Sequence, residues 1–392
     1  MKPTVLFVDD SSNVLSGLRR KLRKMRNTWN MAFAESGEDA LALFSTTDIA
    51  VIVSDMQMPA MNGAELLSKV SEISPTTVRF VLTGETSKKS IPELIRTAHQ
   101  FFTKPCEIDF LIKRIDRAIR YSSYLKNINL QAEVIGLAGL GIPQKIFNSF
   151  QTLKKKDHPS HTAIVDLIEQ DIALVGKVLQ IANSGFFGGH GKHLDLQGAV
   201  SFLGPAGILK LVGSSLLCTP SSCETEQMLL RSKLTAHSVE CAVYASAIAS
   251  SLGFSKKNIE AAYITGMLHN IGRSFELALG FDIDLSIASA DNHANIEGGI
   301  YQTPYYVSLG IGLLGIWGFR DSVLQAIQYH MSPGCAGSEA LDLLTVLHVA
   351  HNLSTGAPFD NSYLEKVGAT KFLDEWKVIV SELKKTQDKT DG

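Results

Sequence analysis

Five short apolar runs mark the first third of the chain: TVLFV from Thr4, MAFA from Met31, IAVIV from Ile49, VRFVL from Val78 and QFFT from Gln100. Each has strand length, and apolar residues stand at consecutive rather than alternate positions. Segments with helical spacing of apolar residues lie between them, near 12–25, 37–45, 63–73 and 88–98. Strands that are apolar throughout are buried on both faces. The alternation therefore predicts a doubly wound α/β unit with a five-stranded parallel sheet. The reactive edge of such a sheet is where the carboxyl ends of its strands meet.

From about Glu107 the apolar period becomes helical and stays so. Residues Glu107 to Ile135 read as one long helix with apolar positions at i, i+3, i+4. GLAGLG, Gly136 to Gly141, breaks it ahead of Pro143. Helices punctuated by glycine and proline follow, with no convincing strand and no internal repeat. The expected layout is an α/β domain over 1–120, a helical connector over 121–140, an all-α domain over 141–380 and a flexible polar tail over 381–392.

Composition narrows this picture. With 392 residues and 45% hydrophobic content, the chain can build two or three cores. The longest nearly apolar run, Val307 to Phe319, falls short of the roughly 20 residues of a membrane span, and TVLFVDD is no signal peptide. A soluble cytoplasmic protein with no membrane partner is expected. The formal net charge is −2, without the basic excess that marks nucleic-acid partners. Cysteines 106, 218, 223, 241 and 335 form no C-x-x-C pair, so they read as scattered thiols in a reducing compartment.

The strand ends carry the chemistry. Asp9-Asp10 close the first run, Asp55 follows the third, Thr83 the fourth and Lys104-Pro105 the fifth. Parallel strands bring three carboxylates, a hydroxyl and an ammonium to one edge. Carboxylates so crowded repel unless a cation offsets them, and hard oxygen donors suit Mg²⁺. Asp55 can then attack phosphorus, with the metal and Lys104 stabilising the transferred group and Thr83 bonding the product. FVDDSS, SDMQMPAMNG, VLTG and FFTKP stand in an order and spacing that resemble the receiver domain of two-component response regulators, with its flavodoxin-like fold. The resemblance implies Asp55 as phosphoacceptor, and Asp10, Asp55 and the Gln57 carbonyl as Mg²⁺ ligands, with Asp9 helping through water. It further implies that Phe101 is the aromatic ring that turns inward after phosphorylation. A sensor histidine kinase or phosphotransfer protein is the implied partner.

The helical half has its own signature. IEQDIALVGKVLQIANSGFFG from Ile168, then LQGAVSFLG, then AYITGMLHNIG resemble the HDOD domain, an all-helical relative of the HD phosphohydrolases. Gln170-Asp171 and Asn183-Ser184 carry the match, with Gly310, Trp317 and QAIQYH further on. In the relatives that hydrolyse, one His, a His-Asp pair and a later Asp hold metal. His237 and His269 occupy the histidine positions, but Asn270 replaces the aspartate of the pair. Tyr306 and Tyr329 stand where histidines are usual, and His351 falls near the last aspartate. The site reads as dismantled, with no cofactor expected in this half. A rebuilt imidazole site from His237, His269, His348 and His351 is the alternative to ordinary buried histidines, which are favoured because no carboxylate pattern accompanies them.

Two other signals fail or stay open. GFFGGHGKH lacks the spacing of a phosphate loop, since Phe186 stands five before Gly191 and His193 follows Lys192. RRKLRKMR, Arg19 to Arg26, is a solvated face or a docking surface for a kinase. The expected whole is a phosphorylation-dependent response regulator whose HDOD module binds an unidentified signalling partner or ligand, or a second copy, rather than cleaving. Its rivals are a metal-dependent HD-type phosphohydrolase acting on a cyclic nucleotide or dinucleotide, and a nucleic-acid-binding output. The latter lacks a basic stripe and a helix-turn-helix signature.

Overall fold

A computed structural model describes residues 2–84, 97–127, 129–136, 142–155, 159–183, 195–213, 225–279, 281, 295–297 and 300–390. Most of the helix expected over 88–98 lies outside these residues. So do Ser184, Cys218, Cys223 and the GFFGGHGKH stretch.

The N-terminal half alternates as its apolar pattern predicts: β1 (Thr4–Val8), α1 (Ser12–Lys21), β2 (Asn30–Ala34), α2 (Gly37–Phe44), β3 (Ile49–Asp55), α3 (Gly63–Ile73), β4 (Val78–Thr83) and β5 (Gln100–Thr103). The five strands are parallel in the order β2-β1-β3-β4-β5. That order reverses direction beside β1, which places a crevice at the carboxyl ends of β1 and β3. Val5, Leu6, Phe7, Val51, Ile52, Phe80 and Val81 are fully buried, as unbroken apolar strands between two helical layers must be. Asn62 caps α3 in a capping box with Glu65. Gly63 then lies so close to the end of β3 that a methyl group would collide with the Asp55 carbonyl oxygen.

The single long helix expected from Glu107 to Ile135 is two helices, α4 (Ile108–Asn127) and α5 (Gln131–Gly136). The break is local. Asn129 has a left-handed φ of 57°, and the Leu130 N–H reaches back five residues to the Leu125 carbonyl at 2.8 Å. Asparagine tolerates this conformation better than other non-glycine residues, and the bond closes the helix end. Periodicity alone does not register such a stop.

The helical half follows with α6 (Gln144–Lys154), α7 (His161–Glu169), α8 (Ile172–Ala182), α9 (Leu196–Gly213), α10 (Thr225–Ser251), α11 (Lys256–Leu268) and α12 (Ile271–Ala278). A short antiparallel pair, β6 (Asn295–Glu297) and β7 (Ile300–Gln302), corrects the expectation of a strand-free half. Its sequence signal was the Gly298-Gly299 pair, a favoured two-residue hairpin connection. Then come α13 (Tyr305–Ile316), α14 (Asp321–Tyr329), α15 (Leu343–Thr355), α16 (Asn361–Lys366) and α17 (Leu373–Thr390). The stretch expected as a tail from 381 is thus helical as far as Thr390, and Lys384 hydrogen-bonds the Leu353 carbonyl. Both α8 and α13 are buried on nearly every side, which explains the apolar run at Val307 to Phe319. Among the described residues no helix is long and apolar enough to cross a membrane.

The two halves share a packed seam. On α13, Ser308, Gly312 and Gly315 face Tyr124, Leu125 and Tyr121 of α4. Side chains at either glycine would overlap Leu125 or the Tyr121 ring. The Gln100 amide of β5 donates to the Ile316 carbonyl, and Gln180 of α8 donates to the His99 carbonyl at 2.7 Å. Arg114 and Arg117 bind the Gly318 and Phe319 carbonyls, and Arg117 pairs with Asp321 at 2.7 Å. Gly315→Leu is expected to lower stability by about 1–3 kcal/mol through overpacking. Urea unfolding checks this, and Tyr121→Ala should restore part of the loss because it vacates the same space.

Candidate functional site

At the carboxyl edge of the sheet, Asp9 and Asp55 are buried and face a common cation. The Lys104 ammonium lies 2.7 Å from Asp9 Oδ2 and 2.8 Å from Asp55 Oδ1. Their other contacts are backbone amides. Ser11 N–H donates to Asp9 Oδ1 at 3.0 Å, and Met56 N–H donates to Asp55 Oδ1 at 2.8 Å. Burial raises the Asp55 pKa, and the bond and charge of Lys104 draw it only part-way back. For Lys104, burial opposes the charge, but the two carboxylates outweigh it and the pKa is raised. Asp10 is exposed, yet a carboxylate oxygen from each of Asp9, Asp10 and Asp55 lies within 4.8 Å of the others. Three hard oxygen donors at that spacing fit Mg²⁺. Gln57 is exposed two residues past the strand end.

The ladder carries Thr83 and Lys104 to the same edge. Thr83 pairs with Thr103, and the Lys104 N–H donates to the Thr83 carbonyl at 2.9 Å. The buried Thr83 hydroxyl donates to the Gly84 carbonyl at 3.3 Å. Phe101 is already inside, at 2% exposure.

A second constellation lies deep in the helical half. His237 of α10, His269 after α11, His330 after α14 and His351 of α15 pack edge to face. Ring centroids are 5.3 Å apart for 237–269, 5.5 Å for 237–351, 5.4 Å for 269–351 and 4.9 Å for 330–351. Cys241, one turn after His237, points its sulfur at the His237 ring. Asn270 is buried beside His269 and heads α12 without a side-chain capping bond. His348 stands apart from this group. Its Nδ1–H donates to the His330 carbonyl at 2.7 Å, and its Nε2 accepts the Asp360 N–H at 3.1 Å. Tyr306 is buried with the Arg273 guanidinium 4.0 Å from its ring centroid.

Comparison with known proteins divides the chain at the same place. A response regulator receiver domain matches residues 5–116 and an HDOD domain matches residues 140–333. The chain is a receiver domain joined to an HDOD domain. Its receiver end is similar to the hydrogenase transcriptional regulatory protein HoxA of Cupriavidus necator, 33% identical over 118 residues, 30% of this chain and 24% of HoxA. A protein of Treponema pallidum is 24% identical over 257 residues, 62% of this chain and 48% of that protein. A cyclic di-GMP phosphodiesterase of Thermotoga maritima is 29% identical over 133 residues, 32% of this chain and 35% of that enzyme. The chain thus spans less than half the length of each of these relatives.

Within the receiver, the expected Asp9, Asp10, Asp55, Thr83 and Lys104 meet at one edge. The basic run of α1 remains on the surface, where Lys24 pairs with Asp109. In the helical half His237, His269 and His351 come together, the last beyond the residues 140–333 that match the HDOD domain. His348 does not join them; Cys241 and His330 do. The i, i+4 spacing of His237 and Cys241 was the available signal for the thiol. The buried pair of Asp171, which caps α8, and Arg231 of α10 was also missed. The Arg231 Nε lies 2.5 Å from Asp171 Oδ2.

Proposed function

We propose that this protein is a cytoplasmic response regulator in which phosphorylation of Asp55 controls an HDOD module that binds a signalling partner rather than cleaving a substrate. The observation that carries the reading is the Lys104 ammonium shared between Asp9 and Asp55. A phosphohistidine of a kinase or phosphotransfer protein supplies the phosphoryl group. An Asp55 carboxylate oxygen attacks phosphorus, the P–O bond forms, and the P–N bond breaks with its electron pair leaving on the imidazole. Asp10, Asp55 and the Gln57 carbonyl, with Asp9 through water, would hold Mg²⁺, which would supply positive charge against carboxylates and phosphoryl oxygens. Lys104 holds Asp55 in the resting pocket and turns its ammonium to the phosphoryl oxygens afterwards. The Thr83 hydroxyl gives up the Gly84 carbonyl for the same group.

The output route follows from β5. Lys104 directly follows that strand, Phe101 lies within it, and Gln100 and the preceding His99 bond Ile316 and Gln180 of the HDOD domain. Because Phe101 is buried at rest, its part is to shift with β5 rather than to swing in from solvent. Movement of Lys104 and Thr83 by the phosphoryl group, which brings about two negative charges, therefore strains the seam directly. Hydrolysis is the competing reading, kept in view by the Thermotoga maritima relative and the imidazole cluster.

Incubation with a small acyl phosphate and Mg²⁺ should add one phosphoryl group, read by intact mass, and Asp55→Asn should abolish it. Undiminished labelling of that variant would remove Asp55 from the reaction. Hydrogen exchange with and without beryllofluoride checks the route, with altered protection expected in residues 97–127 and 305–320. Identical protection in both states would exclude it. Turnover of cyclic di-GMP that disappears in His269→Ala would replace binding by hydrolysis.

A further inference from the structure

We propose that the HDOD core holds one transition-metal ion of the zinc class, bound by His237, Cys241, His269 and His351 as a closed structural site. This proposal is independent of chemistry at Asp55, and it replaces the expectation of no cofactor in this half. One ligand atom from each of the four residues lies within 4.8 Å of the others. Tetrahedral zinc, with bonds of about 2.0–2.1 Å to nitrogen and 2.3 Å to sulfur, sets its ligands roughly 3.3–3.7 Å apart. His237 Nε2 and Cys241 Sγ are already 3.6 Å apart. The remaining side chains need close by only about 1 Å to reach that tetrahedron.

The outer bonds of the histidines point the same way. His269 Nδ1–H donates to the Gly266 carbonyl at 2.6 Å, which leaves a bare lone pair on Nε2. The Ser354 hydroxyl donates to Glu240 at 2.6 Å, so its oxygen accepts the His237 Nδ1–H at 3.1 Å and leaves His237 Nε2 bare. Metal-bound histidines are held in this way, with the outer N–H fixed by a carbonyl or carboxylate and the inner nitrogen free for the ion. His269 Nε2 and His351 Nδ1 are buried without a hydrogen-bond partner, as is the Nε2 of the flanking His330. An unsatisfied buried polar atom is costly, and three in one cluster need an explanation that ordinary core histidines lack.

Donor chemistry selects the ion. Imidazole nitrogens and one thiol suit zinc and its soft neighbours, not Mg²⁺ or Ca²⁺. Loading forms the metal–sulfur bond as the S–H proton passes to solvent. Asn270 fits this role, because a carboxylate that bridges two ions and activates water is what a hydrolase needs and a closed site does not. The ion would tie α10, the end of α11 and α15 together.

The test uses the full-length chain with Mg²⁺ present to occupy the acidic pocket. Elemental analysis should find one zinc per chain. After chelation, Co²⁺ should give tetrahedral d–d absorption together with a thiolate-to-cobalt charge-transfer band. Cys241→Ser should lose that band, and Ser354→Ala, which removes the outer bond to His237 together with the hydrogen bond to Glu240, should weaken zinc about 10–100-fold while circular dichroism stays unchanged. Asp55→Asn should bind zinc as the parent does, which separates this site from the receiver. Folded parent protein that takes up no zinc, a cobalt form without the thiolate band, or a band that survives Cys241→Ser would each overturn the proposal. Should Cys241→Ser fail to fold, unchanged zinc affinity in Ser354→Ala would count against it.

Discussion

α4 can lie flush against α13 only because Gly312 and Gly315 present no side chains where Leu125 and Tyr121 sit. That close approach sets the position of the whole HDOD domain relative to the sheet. It brings the Ile316 carbonyl within reach of Gln100 and the Gly318 and Phe319 carbonyls within reach of Arg114 and Arg117. The segment between the domains is therefore part of a core rather than a tether. A displacement of β5 must be absorbed by that packing or must open it, because interiors at crystal-like density have little slack.

The seam also buries the Arg79 guanidinium among backbone carbonyls. Arg79 of β4 directs its guanidinium to the carbonyls of Thr97 at 2.6 Å, Thr77 at 3.1 Å and Ile135 at 3.2 Å. His99 accepts the Arg79 backbone N–H on Nδ1 at 2.9 Å, so its Nε2–H meets the Ile135 carbonyl at 3.1 Å. Lys177 of α8 sits near the Trp317 ring, its pKa lowered to about 7 by burial and then by the Arg79 charge. Peptide carbonyl dipoles thus meet the Arg79 charge, and the Trp317 face lies beside Lys177. The arrangement fixes which way the α5 turn faces, since the Ile135 carbonyl serves both Arg79 and His99.

Acid and base are segregated along the chain. Carboxylates gather at the carboxyl edge of the receiver sheet, and a single lysine offsets two of them. In the helical core imidazoles and a thiol gather instead, and the Glu240 carboxylate accepts a hydrogen bond from Ser354.

Much of this was legible in the sequence. Apolar runs of strand length separated by helical spacing determined the parallel sheet, because a strand buried on both faces leaves no other economical pattern. Parallel strands then dictated that Asp9, Asp55, Thr83 and Lys104 share an edge, whatever the loops do. The stop at Asn129 and the β6–β7 hairpin escaped notice because each depends on one or two residues rather than on a period. The seam and the imidazole cluster were decided by tertiary structure. His237, Cys241, His269, His330 and His351 come from four helices and are up to 114 positions apart. Helical periodicity can place each on a face, but only the packing of α10, α11, α14 and α15 decides which faces meet. His348, on the same helix as His351 and only about 60° around it, ends in a backbone network instead, because the His330 carbonyl and the Asp360 N–H lie against its ring.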